Sequence, residues 1–277
     1  STRSLRGFWL SPVALSFTLT FMVTPRHSPS PLSHGPAKTL PDLDISVGGR
    51  LQRSTVNATD DYNAAVDPNA FFYASNPQAP QLDESEWQYA AHLGAEYRLS
   101  PGFALFGRVA RAFRLPNADE RVGAGSPFGA TTPANFALKT QTSHDVEGGF
   151  RVNAQRFNFQ SSVYVMDLNN EIHFIPAQNV NVNLDPTRRR GWENIASYQL
   201  TDDVRLHAAA AYTRATFREG VTAGKDVPLV SRWSGSAGFS WDIMKKLVVL
   251  DVSARFWSSR RMDNDQSNVQ PTIPANA

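Results

Sequence analysis

The chain has 277 residues, no cysteine, and a formal net charge of +2 from 27 basic and 25 acidic side chains. That length supplies one large or two ordinary domains. The missing cysteines exclude a disulfide framework and a thiolate metal centre, and the near-balanced, scattered charge excludes a nucleic-acid-binding surface. A hydrophobic content of 41% is low for a helical membrane protein. It suits a membrane β-barrel, in which half of each strand faces water.

The N-terminus differs in composition from the rest. Arg3 and Arg6 precede an apolar run from Phe8 to Val23 that contains Pro12. The layout is that of a secretory signal, but no clear small-x-small cleavage site follows, and the run is too short and too polar for a transmembrane helix. Residues 24–41 are rich in Pro and Ser and read as a linker. The expectation is a disordered leader over 1–42 and a folded part over 43–277.

From residue 43 onward, nine segments alternate apolar and polar residues with the period of two that a two-faced strand requires. The first runs from Leu43 to Ser54, with Ile45, Val47 and Leu51 on one face. A polar stretch, 57–85, reads as a loop. The second strand, Trp87 to Leu99, puts Trp87, Tyr89, Leu93, Tyr97 and Leu99 opposite Gln88, His92, Glu96 and Arg98. Ser100-Pro101-Gly102 is a tight turn by composition. The third strand is Phe103 to Arg114, followed by a long loop over 115–139.

The fourth strand covers Thr140 to Val152 and turns at 153–155 into a fifth, Arg156 to Phe174. A polar loop over 176–187 leads to the sixth, Arg189 to Leu200, which turns at 201–203. The seventh is Val204 to Phe217, followed by a loop over 218–230. The eighth, Ser231 to Asp242, alternates Trp233, Ala237, Phe239 and Trp241 with Ser and Arg. It turns at 243–246 into the ninth, Leu247 to Ser258.

These segments are all-β, and two architectures accept them. A soluble sandwich or propeller would bury the apolar face and wet the other. An antiparallel transmembrane barrel would turn the apolar face to lipid. Strand length favours the barrel: most segments exceed the usual five or six residues and reach the roughly 9–11 that cross a bilayer at a tilt. So do Trp and Tyr near strand ends, where interfacial girdles lie. The gaps alternate short and long, which assigns the short turns to the periplasm and the long loops to the outside.

No catalytic constellation is present, and an enzyme is not expected. The six His form no metal-protease spacing; His92 and His207 fall on polar faces and read as lumenal. Asp263-Asn264-Asp265 has the composition of a calcium loop without its downstream Glu and reads as solvated loop. Gly123-Ala124-Gly125 precedes no helix and is not a phosphate cradle. Candidate ligand-binding residues are Arg188, Arg189 and Arg190, whose guanidinium groups suit an anionic chelate or lipopolysaccharide phosphates, and Phe71, Phe72 and Tyr73, which suit stacking on an aryl ligand. The bland readings, a solvated strand start and loop packing, stand beside them. No cofactor is implied.

Several segments resemble one family. Phe113-Arg114-Leu115-Pro116-Asn117 is similar to the aromatic-Arg-x-Pro-Asn/Ser strand end of TonB-dependent outer-membrane receptors. Residues 138–151, 157–174, 187–217 and 227–241 resemble successive barrel segments of that family, in its order. The resemblance covers about 43–277. It implies roughly nine strands of a 22-stranded, plugged barrel in a Gram-negative outer membrane, in contact with outer-membrane lipid and lipopolysaccharide. It further implies capture of a ferric siderophore or similar chelate, with energy from a TonB complex acting through a plug domain. Nothing before residue 43 looks like a plug or a TonB box, and the C-terminus lacks the family's terminal aromatic, so the expectation is a partial barrel that does not transport alone. A passive or structural barrel protein and a soluble carbohydrate-binding β-domain are the alternatives.

Overall fold

The computed structural model describes residues 9–13, 43–60, 80–122, 135–175, 180–244 and 247–276. In chain order its strands are β1 (Trp9–Val13), β2 (Leu43–Ala58), β3 (Leu82–Ser100), β4 (Phe103–Arg114), β5 (Gln141–Asn153), β6 (Phe157–Asn169), β7 (Ile172–Ile175), β8 (Val180–Asn183), β9 (Thr187–Gln199), β10 (Val204–Phe217), β11 (Trp233–Asp242) and β12 (Val249–Trp257). A short helix, α1 (Ala118–Val122), follows β4. Ten strands form one antiparallel sheet in the order β1-β2-β3-β4-β5-β6-β9-β10-β11-β12, and β7 and β8 pair separately. Nine of the ten are the nine that the alternation predicts. The tenth, β1, pairs with the outer half of β2, from Trp9 opposite Asn57 to Val13 opposite Arg53.

Sheet neighbours are sequence neighbours except where β7 and β8 interrupt, so each strand needs only a tight turn at one end. Pro101-Gly102 closes β3 onto β4. Ala154 and Phe157 exchange backbone hydrogen bonds between β5 and β6. Between β9 and β10, Thr201 Oγ1 accepts from the Val204 and Asp203 amides at 3.0 and 3.3 Å. This Ser/Thr turn gives two amides of the reversal a side-chain acceptor. All four predicted turns lie at one end of the sheet. The opposite, loop end carries the long connections that follow β2, β4, β6 and β10.

Register sorts the side chains. One row of direct partners runs Val47, Leu93, Val109, Val146 and Val165 across β2 to β6. A neighbouring one runs Val163, Trp192, Tyr212 and Trp233 across β6 to β11. This apolar face is open: Val163 is 59% exposed, Val146 58% and Trp87 55%. No second layer covers it among the described residues. An exposed apolar area of this extent requires an apolar environment, which removes the sandwich and leaves the barrel wall.

The other face is polar and ionic. Arg108 reaches Asp145 at 3.1 Å and Glu147 at 3.3 Å, Arg151 reaches Glu96 at 2.6 Å, and Arg98 pairs with Asp44. Rings on this face lie against glycines. His92, Phe106, Tyr164 and His207 are the direct register partners of Gly48, Gly149, Gly191 and Gly238. Each ring occupies the space where the glycine's Cβ would be.

The structure departs from the sequence reading at the loop end. The expected loop 57–85 begins later and ends earlier, because β2 and β3 stay paired out to Ala58 opposite Leu82. Val56, Ala58 and Leu82 are buried there and give the extension an apolar contact that composition hid. The fifth segment does not continue to Phe174. Asn170 adopts φ 55°, a left-handed conformation Asn tolerates; beyond it the end of the expected strand forms β7, which pairs with β8 inside the expected loop 176–187. A small core of Leu184, Ala215, Phe217 and Val227 packs these loop-end connections.

An arginine placed on each face separates the two environments. Val163→Arg should lower the unfolding free energy of the chain in phosphatidylcholine vesicles by about 2–4 kcal/mol. Ala209→Arg, on the polar face, should leave it nearly unchanged. Equal losses in urea titrations of the two variants would contradict the assignment of faces.

Candidate functional site at the loop end of the polar face

The site begins with the strand end Phe113-Arg114-Leu115-Pro116-Asn117. Pro116 stops β4, and Asn117 caps α1: its Oδ1 accepts from the Glu120 amide at 2.8 Å while Glu120 Oε2 accepts from the Asn117 amide at 3.0 Å. This reciprocal pair is a capping box. Arg114 donates to both Glu120 oxygens, at 2.7 and 2.9 Å, and so ties the helix to the strand that delivers it. The motif on which the family resemblance rests therefore has a mechanical role: it holds a short helix at the mouth of the polar face.

Arg121, next in α1, is buried and donates to the Phe136 carbonyl. Burial lowers the pKa of its guanidinium, and the charges of Glu86, Glu84 and Glu120 oppose that shift. The 135–140 segment is pinned from the other side. Asn183 Nδ2 donates to the carbonyls of Lys139 at 3.0 Å and Asn170 at 2.9 Å, and its Oδ1 accepts from the Lys139 amide at 2.8 Å. Asn181 Nδ2 donates to the Glu120 carbonyl at 3.0 Å.

Between this segment and the β2–β3 extension lies a cavity of about 310 Å³. Its polar wall includes Glu84, Glu86, Gln88, Arg121, Lys139 and Thr140. Glu86 accepts from Gln88 at 2.8 Å and from the Thr140 hydroxyl. Carboxylates, an ammonium, amide and hydroxyl groups converge on one space, so the cavity suits a polar ligand that both donates and accepts hydrogen bonds. No group of three metal-ligating side chains occurs among the described residues.

The three consecutive arginines do not act together. Strand parity divides them. Arg188 lies on the apolar side at the loop end and grips Asp167 through Nε and Nη2 at 2.6 and 2.7 Å. Asp167 also meets Arg218 at 2.9 Å. Arg189 faces the polar side and pairs with Glu171. Arg190 returns to the apolar side, exposed, opposite Arg214. Only Arg189 is on the side of the cavity, and its charge is already met. Phe71, Phe72 and Tyr73 lie outside the described residues, as do Gly123 to Gly125.

His92 and His207 sit on the polar face, as expected. Asp265 differs from the solvated loop that its composition suggests. It is 1% exposed, and its carboxylate accepts from the Val269 amide at 2.8 Å and the Gln270 amide at 3.2 Å. Those bonds consume the oxygens a cation would need. The cavity residues escaped the sequence reading because Glu84 falls within the expected loop 57–85 and Glu86 just before the expected strand start at Trp87. Only their position two and four residues past Leu82, in step with the strand, could have marked them.

An open antiparallel wall with one apolar and one ionic face, tight turns at one end and structured loops at the other, is the architecture of a membrane β-barrel. Residues 38–276 match the family model described as TonB dependent receptor-like, beta-barrel, and the chain belongs to that family, whose members are Gram-negative outer-membrane receptors and transporters. Among solved structures it is similar to the copper transporter OprC, at 18% identity and a TM-score of 0.59 over 80% of this chain and 33% of that one. It is similar to the ferric yersiniabactin uptake receptor FyuA from Yersinia pestis, at 16% and 0.58 over 84% and 34%. The ferric citrate transporter FecA gives 16% and 0.54 over 97% and 45%. The chain thus spans about a third to under a half of these receptors. No match was found among curated proteins.

Arg121→Met removes the donor that holds the Phe136 carbonyl. The 136–140 amides should then exchange hydrogen roughly tenfold faster or more, the equivalent of one lost charged hydrogen bond, with β5 and β6 unaffected. Unchanged exchange at Lys139 in mass-spectrometric mapping would remove Arg121 from its pinning role.

Proposed function

We propose that this wall belongs to an outer-membrane transporter that takes up a ferric siderophore or a comparable metal chelate, with energy from a TonB complex. The observation that carries the reading is the loop-end cavity on the polar face. In a member of this family the long loops face outside, so Glu84, Glu86 and Lys139 lie at the end of the wall that an incoming chelate meets first. Such chelates are polar and often anionic, and Lys139 supplies a cation to them while Gln88 and Thr140 supply neutral hydrogen-bonding groups. Ferric-chelate and copper transport are what the printed names of the structural neighbours describe, which supports a metal cargo without choosing one.

In the whole protein, capture at this mouth would precede displacement of a plug domain through the lumen lined by the Arg108, Arg151 and Arg98 ion pairs. Those pairs bear on the plug as well. A wall whose ionic groups are matched within itself offers a polar partner hydrogen bonds without demanding a compensating charge.

Cells with and without the gene encoding this chain, given 55Fe as ferric citrate or as a ferric catecholate, test the reading. Accumulation of at least one chelate should depend on the gene and should collapse when an uncoupler removes the proton-motive force. Gene-dependent accumulation that survives the uncoupler would replace the reading with a passive barrel, and no gene-dependent accumulation of either chelate would remove iron-chelate transport.

A further inference from the structure

Arg190 and Arg214 are direct register partners across β9 and β10. Partners on one face of an antiparallel pair bring their Cβ atoms within about 4.5–5.5 Å, and like charges so placed destabilise the sheet. Both side chains are exposed, on the apolar side of the wall. Neither makes an ion pair or hydrogen bond to a described residue. The contrast with their neighbours is sharp: Arg188 and Arg218 share Asp167, Arg189 holds Glu171, and Arg232 holds Asp226 at 3.1 Å. Among the described residues, then, nothing offsets the repulsion at 190/214.

The surroundings indicate what relieves it. One pleat step toward the turn end, on the same face, stand Trp192, Tyr212 and Trp233, with the Tyr212 and Trp233 rings 4.9 Å apart. Such an aromatic cluster on a lipid-facing wall marks the headgroup level of a bilayer. Val165, the partner of Arg190 on its other side, is apolar and 42% exposed. One step toward the loop end, Arg188 and Arg218 bring two cations to the one carboxylate of Asp167, so the acid there does not compensate the pair below; Glu219 lies 3.5 Å from Arg218, and Asp226, bridged opposite Thr216, is already held by Arg232. The guanidinium pair therefore sits at the outer edge of the apolar belt, pointing away from the lumen.

We propose that Arg190 and Arg214 form a binding site for a phosphate group of an outer-leaflet glycolipid of the lipid A type. Two planar guanidinium forks present parallel donors to phosphate oxygens and bind them bidentately. A phosphate between them turns the repulsion into two charge-assisted contacts, while the acyl chains of the same lipid lie along Trp192, Tyr212, Trp233 and the valines. A diffusible chelate is the poorer occupant, because the lumen through which cargo passes lies on the opposite face of the same strands. The site rests on the reading of this chain as an outer-membrane barrel wall.

The test uses the full chain refolded into dodecyl maltoside micelles. Binding is measured by native mass spectrometry with bis-phosphorylated lipid A, with the same lipid after enzymatic dephosphorylation, and with inorganic phosphate as competitor. The wild-type chain should prefer the phosphorylated lipid. The double substitution Arg190→Gln and Arg214→Gln should weaken that binding at least about tenfold, each single substitution should weaken it in part, and Arg205→Gln, which removes one cation from the lumenal side of β10 as each single substitution does from the outer side, should not. Loss of preference in neither the double variant nor Arg205→Gln, or in both alike, overturns the site. Equal competition by inorganic phosphate overturns the assignment to a lipid. Tryptophan fluorescence quenching by brominated acyl chains reports insertion separately, so a chain that inserts but ignores the phosphates fails this proposal alone, whereas one that does not insert fails the barrel reading and this proposal with it.

Discussion

Everything in this wall depends on the pairing of each strand's backbone with its sequence neighbour. Within a hydrocarbon layer no water is available to an unpaired amide or carbonyl, so a spanning sheet must satisfy these groups laterally. The ladder from β2 to β12 does so with unbroken antiparallel register over long spans, and its one local register shift, between Arg98 and Ser100, falls at a turn rather than in the belt. Once the ladder is fixed, parity decides the rest. Every side chain goes to one medium or the other, and a residue's chemistry follows from whether its number is odd or even on its strand.

Parity also explains why the strands were legible and the loop end was not. The alternation in Trp87–Leu99 or Ser231–Asp242 is written by two solvents of opposite character, so it is visible residue by residue. Beyond the apolar belt that contrast ends. Glu84 continues β3 in full strand geometry, but its neighbours are Asp83 and Ser85, nothing apolar alternates with it, and it reads as loop. Asn170 ends β6 through a backbone conformation that leaves no hydrophobic trace, while Ile172 and Phe174 beyond it keep the apolar alternation running past the strand's true end.

The arginine triplet shows the same limit from the other side. Three adjacent cations suggest one anion site when read as a string. Folded, they are two on one face and one on the other, with three different fates: Asp167, Glu171 and an opposing arginine. The last was available from the sequence, since a turn centred on Asp202 places residue 190 opposite 214. Asp167 was not, because its reach to Arg218 depends on where the 218–230 connection folds. The buried placement of Asp265 was hidden for a similar reason: its partners are backbone amides of the same turn, which sequence does not name.

The rings that lie on glycines set the bore of the passage. A phenol or imidazole projecting from a barrel wall would act as a spoke and obstruct flow. Laid flat over Gly48, Gly149, Gly191 and Gly238, His92, Phe106, Tyr164 and His207 become tiles flush with the lining, smooth and stiff. The relief of the polar face is thus fixed by the residues with no side chain. A single methyl group on the strand opposite would tip a tile up from the wall and roughen the surface.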